Sequence, residues 1–165
     1  LFKIGPNLAL TTAGLVGHAQ SLSRTLNAET TLYQLKRGQS MTVKGAATLT
    51  ANILLGRPYW VQLLIVGVDD SGPSVYSIDG AGGSIPDVYC ATGSGSPYMY
   101  GVLEDGFREG MNKNDAIKLA ARALLASGQR DAASGNGMDL AYITQSEGFV
   151  LLSNDEVDKI ITSLK

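Results

Sequence analysis

Two short stretches concentrate the side chains whose types and spacing could do chemistry. Ala91-Thr92-Gly93-Ser94-Gly95-Ser96 sets small hydroxyl residues between glycines, and Arg130-Asp131-Ala132-Ala133-Ser134-Gly135-Asn136-Gly137 sets an acid and a hydroxyl three residues apart. Carboxylates and hydroxyls are the groups that proton transfer and nucleophilic attack use. The same residues also build ordinary glycine-rich turns, with Ser and Asp bonding to nearby backbone. His18 is the single histidine, so a Ser-His-Asp triad would have to be built on it. It falls at an expected helix start, where it reads as a surface or capping group. Cys90 reads as a small buried hydrophobe on a strand. Asp69 and Asp70 read as turn residues. GxSxG, GxxxxGK[ST] and a helix-opening GxGxxG are all absent from the 165 residues. No metal site and no cofactor are expected.

Composition narrows the classes further. Thirteen basic residues against fifteen acidic ones leave a net charge of −2, which argues against the clustered positive charge that nucleic-acid binding needs. Charged residues make up 17% of the chain, against a usual ~25%. So sparse a charged surface suggests that part of it meets other protein. One cysteine excludes an intramolecular disulfide framework. The longest apolar stretch, Val61 to Val68, is interrupted by Gln62 and falls far short of the ~20 residues of a membrane helix. No secretory signal, low-complexity tract or repeat is visible, so residues 1–165 are expected to form a single domain without membrane contact.

Periodicity supplies the elements that must position these groups. Phe2–Ile4 and Leu8–Ala13 read as strands joined by the turn Gly5-Pro6-Asn7. Ala19, Leu22, Leu26 and Tyr33 recur on one helical face from His18 to Lys36, with Gly38 as its C-terminal cap. A second helix is expected from Thr42 to Leu55, apolar enough to be buried on more than one face, with Pro58 at its exit. Strands at Val61–Asp69 and Ser74–Asp79 are expected to form a hairpin through the four-residue loop Asp70–Pro73, followed by a short strand at Asp87–Ala91. Pro97 opens a helix through Leu103. Asn114 is expected to cap a further helix, buried through Ile117, Ala120, Ala121 and Leu124 and closed by Gly128. After Gly135-Asn136-Gly137, a strand at Asp139–Ile143 pairs with Phe149–Leu152. Ser153 and Glu156 form a capping box for a last helix that buries Val157, Ile160, Ile161 and Leu164. Helices stand in blocks apart from the strands, which favours antiparallel sheets covered by helices.

Several of these segments together carry a family resemblance. Leu10-Thr11-Thr12-Ala13-Gly14-Leu15-Val16-Gly17-His18-Ala19-Gln20 resembles the segment entering the first helix of archaeal-type proteasome β subunits. Val61-Gln62-Leu63-Leu64, Tyr76-Ser77-Ile78-Asp79, Ala91 to Ser96, Tyr100-Gly101-Val102-Leu103-Glu104 and Arg130-Asp131 with Ser134-Gly135 follow in that family's order. The resemblance covers nearly the whole chain. It implies an α+β fold, the four-layer αββα sandwich of the N-terminal nucleophile hydrolases. The implied activity is that of a threonine endopeptidase of the 20S proteasome core, cutting unfolded polypeptides inside stacked rings. The wording at Ala91–Ser96 and Arg130–Gly135 favours the proteasome over the related bacterial two-ring peptidase. An unrelated αβ binding module would require the whole match to be accidental.

The resemblance also implies roles. Asp131 would orient the α-amine of an N-terminal threonine, with Ser134 beside it and Ser94 bonding that amine or a catalytic water. The Gly14 N–H would face the developing oxyanion. Thr12, Val16 and Gln20, with Phe2 at the edge, would line the pocket for the side chain before the cut bond, a mixture suited to neutral side chains. Implied partners are other β subunits in a heptameric ring, an α-subunit ring, a proteasomal ATPase and unfolded substrate, in the cytoplasm. Leu1 has no hydroxyl, and the family's nucleophilic threonine, strand acid and lysine lie ahead of the matched region. The expectation is therefore a β-type chain that is N-terminally incomplete, the alternative being a non-catalytic structural ring subunit.

Overall fold

Strand β3 (Val61–Asp69) shows the period-two logic of the main sheet: Val61, Leu63, Ile65 and Gly67 are buried, Gln62 is exposed, and Leu64 and Val66 are half-buried. The computed structural model describes every residue except Pro58, Asn136 and Lys165, so the expected exit at Pro58 and the centre of the Gly135–Gly137 turn lie outside the described residues. The chain divides into two units, Leu1–Gly93 with Ile143–Phe149, and Ser94–Tyr142 with Val150–Lys165.

In the first unit, β1 (Phe2–Gly5), β2 (Leu8–Gly14), β3, β4 (Gly72–Ile78) and β5 (Ser84–Asp87) form one antiparallel sheet in sequential order. Helices α1 (Val16–Arg37) and α2 (Val43–Gly56) are inserted between the neighbouring strands β2 and β3. Ile4, Leu8, Leu10, Leu63, Ile65 and Ile78 from the sheet pack with Ala19, Leu22 and Leu26 from α1 and with Val43, Ala46, Ala47 and Leu54 from α2. Each large aliphatic buried in this way contributes about 1.5–3 kcal/mol before chain entropy is set against it. Ala19, Leu22 and Leu26 of α1 are buried as their spacing announced, while Thr30 is buried and Tyr33 only half-buried, and Gly38 takes the left-handed conformation (φ 69°) that closes the helix.

Four local expectations are corrected here. The β3–β4 loop has two residues, because Asp69 pairs with Gly72. The Asp69 carboxylate holds it tight, accepting Ser71 N–H at 2.8 Å and, through its other oxygen, the Val43 N–H that opens α2 at 2.8 Å. Pro73 is tolerated within β4 because β5 pairs only with Val75–Ile78, which leaves Pro73 beyond its reach. Strand β5 lies earlier than expected, at Ser84–Asp87, so Cys90 is half-buried and outside any strand. Helix α2 buries one face and its flanks, leaving Lys44, Thr48, Asn52 and Leu55 exposed.

The second unit holds α3 (Ser96–Gly106), α4 (Lys113–Arg130) and α5 (Asn154–Ser163). Ala121, Leu140 and Val157 form its core, with Ile117, Leu124, Met138, Leu152, Ile160, Ile161 and Leu164 packed around them. Two further corrections fall on α4. Its cap is Asn112, whose side chain accepts Asp115 N–H at 3.0 Å, so Asn114 lies inside the first turn. The helix runs through Gly128 to Arg130, and Ala120 is exposed while Leu119, Ala121, Ala123 and Ser127 are buried. The capping box at α5 is as expected, with Ser153 and Glu156 bonding reciprocally. Strands β6 (Ala141–Thr144) and β7 (Gly148–Leu151) make a second, two-stranded sheet whose turn end belongs to the first unit.

Candidate active site

Asp131 is the C-terminal cap of α4, its N–H bonding Ser127 O at 2.8 Å, and Ser94 immediately precedes Gly95, the N-terminal cap of α3. Two helix ends therefore deliver the acid and the hydroxyl that were 37 positions apart in sequence. Ser94 Oγ donates to Asp131 Oδ2 at 2.7 Å, and Ser134 Oγ donates to the same oxygen at 2.6 Å. The other oxygen, Oδ1, accepts Ala133 N–H at 3.2 Å. The hydrogen bonds from Ser134 and Ser94 hold the Asp131 carboxyl below its ordinary pKa, with a smaller contribution from Ala133, and outweigh the opposing effect of partial burial.

A fourth member was not foreseen. Ser127 Oγ lies 2.8 Å from Ser134 Oγ and is buried. An ionised carboxylate only accepts, so Ser134 spends its proton on Asp131 and must accept from Ser127. The result is a one-way chain of donors, Ser127 to Ser134 to Asp131. Gly95 makes room for it: a Cβ there would stand 1.8 Å from Ser127 Oγ and 2.9 Å from Ser134 Oγ. Ser127 was legible in principle, as a hydroxyl on the buried stripe Leu119-Ala123-Ser127, but that stripe was expected one register away.

The remaining expected residues all lie in the first unit. Gly14 ends β2 with φ 114°, and a Cβ on it would stand 2.3 Å from Trp60 O. The fold itself therefore demands glycine here, beyond any need for substrate to approach closely. Thr12 is half-buried on β2, and its Oγ1 is buried without a hydrogen-bond partner. Phe2 pairs across with Leu10 and packs against the main core, so Phe2 and Thr12 share the Leu10 face of the sheet. Val16 and Gln20 stand exposed one turn apart in α1. His18 is engaged internally, accepting Trp60 N–H on Nδ1 at 3.0 Å.

Among the described residues no cluster of three or more His, Cys, Asp or Glu side chains could hold a metal ion, and no helix is long and apolar enough to cross a membrane. A model of the proteasome subunit family matches residues 1–143. The chain belongs to the proteasome subunit family. Its relatives place it on the β side: it is 47% identical to a proteasome subunit beta of Methanohalophilus mahii, over 100% of this chain and 80% of that protein. It is also 47% identical to that of Archaeoglobus profundus, over 100% of this chain and 78% of that protein. Against the subunit of Thermoplasma acidophilum the figures are 46% identity over 99% of this chain and 79% of that protein. The helices and the two antiparallel sheets accordingly make up the α+β fold of N-terminal nucleophile hydrolases that the resemblance implied. Membership of the proteasome family carries with it assembly with other subunits in the core particle and a place in a proteolytic machine.

Proposed function

We propose that this chain is a catalytic β subunit, a threonine endopeptidase in which the Asp131 group receives the α-amine of the mature subunit's N-terminal threonine. One observation carries the reading. Among the described residues, Asp131 is a carboxylate whose partners are all neutral, two hydroxyls and a backbone amide, yet whose charge is favoured. An unbalanced anion built so deliberately suits a cation, and a terminal ammonium fits it. Ser94 and Ser134 keep oxygen lone pairs that can accept its remaining N–H bonds.

The chemistry follows from that placement. In its neutral form the α-amine takes the threonine hydroxyl proton, and the ammonium so formed is the cation that Asp131 balances. The alkoxide attacks the substrate carbonyl, and the Gly14 N–H faces the oxyanion that forms. Losing such a donor raises the barrier by on the order of 3 kcal/mol. The ammonium then returns its proton to the leaving amine, and water, deprotonated by the same amine, releases the acyl group. Thr12, Val16, Gln20 and Phe2 line the pocket for the residue before the cut bond, a neutral lining without fixed charge. The substrates are unfolded polypeptides fed by an ATPase into heptameric β rings flanked by α rings, in the cytoplasm.

The test uses assembled particles containing the full mature subunit. A threonine-directed epoxyketone is expected to label this subunit and to stop hydrolysis of a fluorogenic peptide. Asp131→Asn is expected to abolish turnover while rings still form. Absence of labelling would leave a structural ring subunit, and undiminished turnover in the variant would remove Asp131 from its role.

A further inference from the structure

The handover from β2 to α1 is strapped by the backbone of Trp60 and the ring of Tyr59. Leu15 N–H donates to Trp60 O at 2.9 Å, and Trp60 N–H donates to His18 Nδ1 at 3.0 Å. The same Trp60 carbonyl crowds the position a Gly14 Cβ would take. Tyr59 meets the imidazole edge-on, with centroids 5.1 Å apart and planes at 77°. Both backbone hydrogen-bonding groups of Trp60 are thus tied to the junction, one by backbone and one by an imidazole ring.

Accepting on Nδ1 requires the neutral imidazole with its proton on Nε2. A second proton would turn Nδ1 into a donor facing the Trp60 N–H, and two donors cannot share that contact. Beside the ring stands the Tyr59 phenol, with the Arg57 guanidinium 5.9 Å from the Tyr59 ring centroid. Neither offers the protonated ring an anion.

We propose that His18 is a positioning residue: its neutral ring holds the Trp60 strap against the Gly14 junction, and protonation releases the strap, so that the Gly14 N–H loses its aim in acid. The catalytic half of this inference rests on Gly14 as oxyanion donor. The strap itself does not.

The sequence makes the test clean, since His18 is the single histidine and Trp60 the single tryptophan of these 165 residues. In assembled particles, the emission lost on Trp60→Phe isolates the Trp60 signal. That signal is expected to change reversibly between pH 8 and 5 in the parent. In His18→Asn, whose amide oxygen can accept in place of Nδ1 without titrating, it is expected to stay level. The acid fall in kcat for a fluorogenic peptide is expected to be about fivefold shallower in His18→Asn, the scale of one ordinary hydrogen bond. KM should move less than about twofold, because the effect belongs to the transition state. No emission change in the parent, or the same change in His18→Asn, overturns the switch. An emission change with superimposable kcat profiles overturns the link to Gly14. Should His18→Asn not fold, the parent titration and His18→Gln decide the same point. Particles that cleave nothing at any pH refute the protease reading, and the emission titration still judges the strap.

Discussion

Asp131 carries its charge in the folded chain more readily than a carboxylate in water, because Ser134 and Ser94 donate to it. A group with a depressed folded pKa adds stability that is fully present above the unfolded value, near 3.9, and is lost as pH falls through the folded one. Asp131→Asn is therefore expected to flatten the loss of stability on the acid side, read as urea midpoints between about pH 5 and 2. Gly95→Ala should be harsher than its size suggests, since its methyl would collide with the hydroxyls of Ser127 and Ser134. Turnover is expected to fall by more than about tenfold, with KM much less affected. The Asp131, Ser94 and Ser134 grouping was legible only through the family resemblance, because the two glycine-flanked motifs by themselves read equally as ordinary turns. Ser127 was not, because a lone serine in a helix declares its partner only when the helix register is right. Gly14 was legible as special, but the reason, a carbonyl from a segment some 45 residues further on, needed three dimensions.

At the scale of elements, boundaries set by side-chain caps were the hardest to read. Asn112 and Asn114 are chemically alike, and either could open α4. The structure chooses Asn112, whose amide oxygen accepts Asp115 N–H while its nitrogen donates to the Asp115 carboxylate at 2.7 Å. Asn112→Ala should cost about 1 kcal/mol and lower the melting temperature by several degrees, whereas Asn114→Ala should be near neutral. Thermal unfolding of the two variants separates them. Core periodicity was easier to read, except in α4, whose buried stripe lies one residue from the expected one. Strand β3 and the stripes of α1 and α5 were visible because burial there follows one regular period. The β3–β4 loop was misjudged because Gly72-Pro73 is strong turn chemistry that the pairing of Asp69 with Gly72 overrides.

For the molecule as a whole, the sparse charge has a physical counterpart on α1. Leu32 is 43% exposed and Leu35 79%, three residues apart on one face. In a family that works as assembled particles, such side chains are expected to be covered by neighbouring subunits. Leu35→Glu should leave the melting of the isolated subunit nearly unchanged and shift native-mass distributions from particles toward free subunits. Antiparallel sheets with grouped helices were readable from the alternation of strand and helix blocks. The division into two units was not, because the chain leaves the first unit at residue 93 and returns to it only for Ile143–Phe149. That returning segment does specific work: Phe149 N–H donates to Pro6 O at 2.8 Å, and the Lys3 ammonium sits 5.8 Å from the Phe149 ring centroid. A ribosome releases this polypeptide in one direction. Pro6 emerges 143 residues ahead of Phe149, so β1 and β2 must wait for all of that chain to be made before this backbone bond can close.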